Sequence, residues 1–119
     1  MNLQFFCPRW GSESLSCDAF CSKVKQAGFD GVEAGVPFDE SERQAMQTAL
    51  HQHQLLFTGQ YWQSFEKDFT AHKEAYLFHL HHLAKLNPVK IDAQTGKDYF
   101  SFEQNKELFD VAAAFTKET

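Results

Sequence analysis

A chain of 119 residues, 43% of them hydrophobic, is long enough for one compact domain with its own core, and its composition shows no mark of disorder. The formal charge of −5 and the scatter of Lys and Arg exclude the basic footprint of a nucleic-acid binder. No apolar run approaches the roughly 18 residues that span a bilayer, and MNLQFFCPRW lacks the basic and long apolar regions of a signal peptide, so a cytoplasmic protein with no membrane partner is expected.

Leu3 to Cys7 alternates Leu3, Phe5 and Cys7 against Gln4 and Phe6, then meets Pro8, which predicts a short strand ended by the loop Pro8 to Gly11. Ser16 is placed to cap a helix whose apolar positions are Cys17, Phe20, Cys21, Val24 and Ala27, with Gly28 as its stop. Val32 to Val36 reads as a second strand running into Pro37. Asp39, with Glu42 three residues on, opens a helix that buries Met46, Ala49, Leu50 and His53. Leu55 to Thr58 is a continuous apolar run of strand length, followed by Gly59-Gln60-Tyr61-Trp62-Gln63.

From Asp68 to Leu86 a helical face holds Phe69, Tyr76, Leu80 and Leu83, and Asn87-Pro88 ends it. Val89 to Gln94 alternates with period two and predicts a fourth strand. Ser101 and Gln104 cap a last helix with apolar positions Phe102, Leu108, Phe109, Ala112 and Phe115. The three cysteines, Cys7, Cys17 and Cys21, cannot all pair within one chain, so free thiols in a reducing compartment are expected.

Strict strand–helix alternation with short connections implies an α/β fold of parallel strands joined by right-handed crossovers. Strand starts near Leu3, Val32, Leu55 and Val89 give units of roughly 30 residues, and eight such units make the roughly 250 of a (β/α)₈ TIM-type barrel. The expectation is therefore four βα units, half a barrel, in one domain over residues 1–119. A small doubly wound sheet is the alternative, but CPRWGSES is not the Gly-rich turn that should follow its first strand.

The order LQFFCPRWG, QAGFDGVEAGVP, FTGQYWQ, QTGKDYFSFEQN resembles the N-terminal half of sugar phosphate isomerase/epimerase proteins of the xylose-isomerase-like barrel superfamily. That resemblance implies a small sugar or hydroxycarbonyl substrate. It also implies a divalent metal, Mn, Mg, Co or Zn, held in the complete protein mainly by ligands from the second half, so no metal ligand is assigned in this chain alone. Relatives that cut DNA at abasic sites carry extra histidines at early strand ends. Here Glu33, Gln60 and Gln94 stand there instead, which disfavours that branch.

Glu33, where the second strand opens to the mouth, is the catalytic candidate, a carboxylate able to take a proton or bind a hydroxyl; its structural alternative is bonding to neighbouring backbone. Gln60 and Gln94 supply both donors and acceptors for a polyol, or brace loops. Lys97 and Asp98 beside Gly96 are candidates for a phosphate or carboxylate site, or a solvated ion pair. Arg9 suits an anionic group and Trp10 the apolar face of a sugar, unless Trp10 plugs the barrel end. Asp92 is expected to pair with Lys90. His79 and His82 share a helical face without a third ligand, and Cys17 and Cys21 lie on a buried stripe, so packing is the favoured reading for all four. The remaining alternative is a non-catalytic half-barrel that self-associates through its open strand edges and an exposed apolar interior, or binds carbohydrate.

Overall fold

The computed structural model describes residues 1–118 and contains eight elements in strict alternation. These are β1 (Phe6–Pro8), α1 (Cys17–Gln26), β2 (Gly31–Ala34), α2 (Glu40–Gln52), β3 (Leu56–Tyr61), α3 (Phe69–Ala84), β4 (Lys90–Ala93) and α4 (Phe102–Glu118). The sheet runs in the order β1-β2-β3-β4 and every neighbouring pair is parallel. The order never reverses, so the sheet has none of the switch points of a doubly wound fold.

The helix boundaries follow from short polar side chains that accept the free N–H groups of the first turn. Ser16 Oγ accepts from Ala19, Asp39 Oδ1 from Glu42 and Asp68 Oδ2 from Ala71. Ser101 and Gln104 form a reciprocal capping box, each side chain bonding the other's backbone N–H at 3.1 and 3.0 Å. Gly28, at φ +91°, supplies the left-handed turn after α1. Asn87, at φ +53°, turns the chain before Pro88.

The strands alternate between two unlike faces. Cys7, Val32, Ala34, Phe57, Tyr61, Ile91 and Ala93 join the core beneath the helices. The opposite face carries Glu33, Thr58, Gln60, Lys90 and Asp92, with Phe6 and Leu56 at its lower end. The helix-free surface is thus polar through its middle and upper part, not an apolar interior.

The central approach is at Gly59, where a Cβ would come within 2.7 Å of the fully buried Leu83 side chain. Only a glycine lets α3 sit this close to β3. Farther along the helical layer, His53 Nε2 meets Asp18 Oδ1 at 2.9 Å and ties α2 to α1.

The structure moves several expected boundaries. The first strand begins at Phe6 rather than Leu3, because Phe5 is already anchored at the bend by Asp30: its N–H donates to Asp30 Oδ2, and its carbonyl accepts from Asp30 N. Gly31 N and Arg9 N bond across to Phe5 O and Glu33 O, which leaves Phe6 and Pro8 facing the free edge of β1. Pro8 therefore ends β1 without removing a ladder bond. The third strand continues to Tyr61, which puts Gln60 within the strand rather than in the following loop. In α4 the buried residues are Leu108 and Phe115, whereas Phe102 and Phe109 are 79% and 62% exposed. Those two phenylalanines lie seven residues apart on the side turned away from the core, and a stripe drawn through all five apolar positions was too wide for one buried face.

Leu83→Ala should lower the unfolding free energy by about 2–5 kcal/mol, as for other fully buried leucines. Gly59→Ala should be destabilising alone and markedly less so in the Leu83→Ala background. Urea unfolding of the four proteins checks this, and equal Gly59→Ala effects in both backgrounds contradict the contact.

Candidate functional site

Adjacent parallel strands bring Glu33 of β2 and Gln60 of β3 to the helix-free face near their C-terminal ends. Gln60 Nε2 donates to Glu33 Oε1 at 2.8 Å. The other end of the amide, Gln60 Oε1, is buried and has no protein partner. A buried acceptor without a donor is destabilising unless something supplies one. The pair therefore presents a fixed carboxylate beside a buried acceptor that no protein group answers.

A cleft of about 500 Å³ opens beside this pair, bounded by Trp10, Gln60, Tyr61, Trp62, Asp92 and Gln94. Asp92 Oδ1 also lies 3.1 Å from Lys90 Nζ, the expected ion pair, and both side chains are open to solvent. Asp92 therefore both pairs with Lys90 and lines the cleft. The alternation that put Asp92 on one face with Gln94 was the signal for it. Trp10 is 67% exposed and stands over the cleft rather than closing the sheet end. Trp62 and Gln63, grouped in the sequence with the mouth but not singled out, line a second cleft of about 530 Å³ that contains Arg9 and also reaches Trp10 and Gln60.

Arg9 is held in place before any ligand arrives. Its Nη2 donates to Leu15 O at 2.7 Å and its guanidinium carbon lies 4.7 Å from the centroid of the Phe20 ring. Nη1 is buried without a partner.

Lys97 and Asp98 lie apart from these clefts. The Lys97 ammonium sits 4.5 Å from the centre of the Phe65 ring. Its backbone is clamped on both sides by Asn105, whose Oδ1 accepts from Lys97 N and whose Nδ2 donates to Lys97 O, each at 3.1 Å. Gly96 is small because the Asn105 side chain presses against it. The amide expected to approach an anion is thus already engaged, and Asp98 is exposed.

A buried polar line along α3 braces the loops around the clefts. His72 Nδ1 meets Ser64 Oγ at 2.9 Å and Tyr76 Oη meets Thr95 Oγ1 at 3.3 Å, which ties the β3–α3 loop and the β4–α4 loop to the same helix. Tyr99 Oη donates to Glu66 O at 3.1 Å and joins the two loops directly.

Among the described residues no three His, Cys, Asp or Glu side chains come together to hold a metal ion, so the residues present do not fit a complete metal centre. The three cysteines are free. Burial, with Cys17 beside it, pushes the Cys21 thiol up to about 11, which keeps it protonated and unreactive. Among the described residues no helix is long and apolar enough to cross a membrane.

Comparison with known proteins finds no family model, no curated protein and no solved structure that matches this chain.

His79 is fully buried among the rings of Phe38, Tyr61 and Phe78, and neither ring nitrogen has a partner. Burial, then the nearby His82 and Arg43, hold its pKa below the ordinary histidine value. Burial also lowers that of His72, against the bond to the Thr95 carbonyl and with help from Lys97. Both therefore take up a proton less readily in the fold than in the unfolded chain, which takes up protons below about pH 6.5. Their contribution to stability is complete above that pH. It falls as the pH drops below it, by up to about 1.4 kcal/mol per unit for each histidine. Urea midpoints should fall from pH 7 to pH 5, and His79→Leu should flatten the fall; an unchanged slope in the variant contradicts the assignment.

Proposed function

We propose that this chain is the first half of a (β/α)₈ barrel related to the sugar phosphate isomerases and epimerases, and that its strand ends bind a small sugar-like or hydroxycarbonyl compound. The sheet order supports the barrel reading: strands added one after another in one direction leave all helices outside and one bare face within, which is how such a barrel is wound.

The observation that carries the binding reading is the Glu33–Gln60 pair with its unanswered Oε1. A ligand hydroxyl donating to Gln60 Oε1 would satisfy the orphaned acceptor, and Asp92 and Gln94 stand ready for its neighbours. Trp10 offers an apolar wall for the carbon skeleton. Glu33, already oriented by the amide, is the group to take a proton from a carbon or hydroxyl brought against it. A divalent metal, as in the enzymes it resembles, would need ligands this chain does not bring together, and no step is derived through one.

A second reading rests on the sheet edges. β4 is hydrogen-bonded on one side only, and Val89 before it is 57% exposed. We propose that isolated chains associate with one another through this border.

NMR titration with a panel of pentoses, hexoses and their ketose isomers should shift the side-chain amides of Gln60 and Gln94, and Gln60→Ala should weaken binding about tenfold, the effect of one lost hydrogen bond at the upper end of the usual range. Absence of any shift at these amides across the panel contradicts the binding reading. Light scattering should give a mass that rises with concentration; a monomer at every concentration sinks the association reading.

A further inference from the structure

Two clefts share one wall. Trp10, Gln60 and Trp62 line both the cleft toward β4 and the cleft that contains Arg9. Their chemistry differs. Toward β4 the lining is mixed, with Asp92 and Gln94 beside Gln60 among Trp10, Tyr61 and Trp62. The other cleft reaches between the starts of α1 and α2 over a floor of Leu15, Ala34, Val36 and Met46.

Each cleft, at about 500 and 530 Å³, falls in the range that holds one small-molecule group. Each also contains, or borders, a buried polar atom without a protein partner: the acceptor Gln60 Oε1 on the shared wall and the donor Arg9 Nη1 in the apolar cleft. One ligand spanning the wall would lie against both residues that carry these atoms, Gln60 and Arg9.

We propose that the site takes a sugar bearing an aryl substituent, with the sugar hydroxyls at Gln60, Asp92 and Gln94 and the aryl ring in the cleft of Arg9. This rests on the sugar-binding reading of the same site and adds what the sugar is attached to. A flat ring suits walls made by Trp10 and Trp62 and loses little conformational freedom on burial, whereas an alkyl chain loses several rotors. The far end of the ring carries a neutral acceptor oxygen for Arg9 Nη1. Glu13 and Glu42 also line that cleft and disfavour a full negative charge there.

Calorimetric titration with methyl β-D-glucoside and 4-nitrophenyl β-D-glucoside tests the proposal. The nitrophenyl compound should bind about tenfold or more tightly, the low end expected for burying a phenyl ring. Ala45→Trp, an exposed position on α2 lining only the aryl cleft, should erase that advantage and leave the methyl glucoside unchanged. Arg9→Met should reduce the advantage. Equal affinity of the two glucosides for the unaltered chain overturns the inference while leaving the sugar reading intact, as does an advantage that survives Ala45→Trp. If neither compound binds, both fall together.

Discussion

Parallel strands cannot be joined by tight turns, so each step from one strand to the next must pass over the sheet through a helix. When every step also advances in the same direction, the right-handed crossover leaves each helix on the same side. That constraint governs this molecule. It gives the sheet one face sealed by Val32, Phe57, Tyr61, Ile91 and their helical partners, and one face with no protein layer on it. The tight seat of Leu83 on Gly59 fixes the distance between the layers at the centre, and the His53–Asp18 pair holds the helices to one another at the side.

The bare face is chemically suited to its position. Glu33 and Gln60 bond diagonally across neighbouring strands, Lys90 and Asp92 bond along one strand, and Thr58 lies between them in the register. A surface of this kind tolerates water and can bind a polar ligand, whereas the helical side is closed at the centre of the sheet, where Leu83 seats on Gly59. The contrast is sharpest within β3 itself, where Gln60 reaches the open side and Tyr61, the next residue, is 1% exposed among Tyr76 and His79. The loops above are stiffened from behind by His72 and Tyr76, so the clefts are shaped by α3 as much as by the strands that carry their polar groups.

Much of this was legible in the residues. The capping side chains Ser16, Asp39, Asp68 and Ser101 act locally, within three residues, so their roles can be read without knowing the fold. The alternation of Lys90, Ile91, Asp92 and Ala93 likewise fixed which side chains share a face. Long-range facts were not legible. Nothing local to Gly96 and Lys97 reveals that Asn105, on the following helix, folds back to occupy their backbone. Nor does the pattern around Arg9 show that Leu15 and Phe20 have claimed most of its guanidinium. In α4 the sequence offered more apolar residues than one face can bury, and only packing against α3 selects Leu108 and Phe115 over Phe102 and Phe109. Gln60 was recognised as a polar group near the mouth, but its bond to Glu33 depends on the register of β2 against β3, which no single segment encodes.

Pro8 makes the two borders of the sheet unequal. On the β1 side, of the two strand residues that point outward, one has no N–H to offer, and that strand is only three residues long. On the β4 side Gln94 N bonds to Tyr61 O and Asp92 lies in the same ladder, so the outward positions fall at Ile91 and Ala93, each with an intact amide. An extended peptide, whether from a misfolded neighbour or a chaperone's client cleft, therefore finds a usable template at one border and a poor one at the other. Aggregation of this chain, where it occurs, would be nucleated from a single side, and a proline introduced at Ile91 would close the second route in the way Pro8 already closes the first.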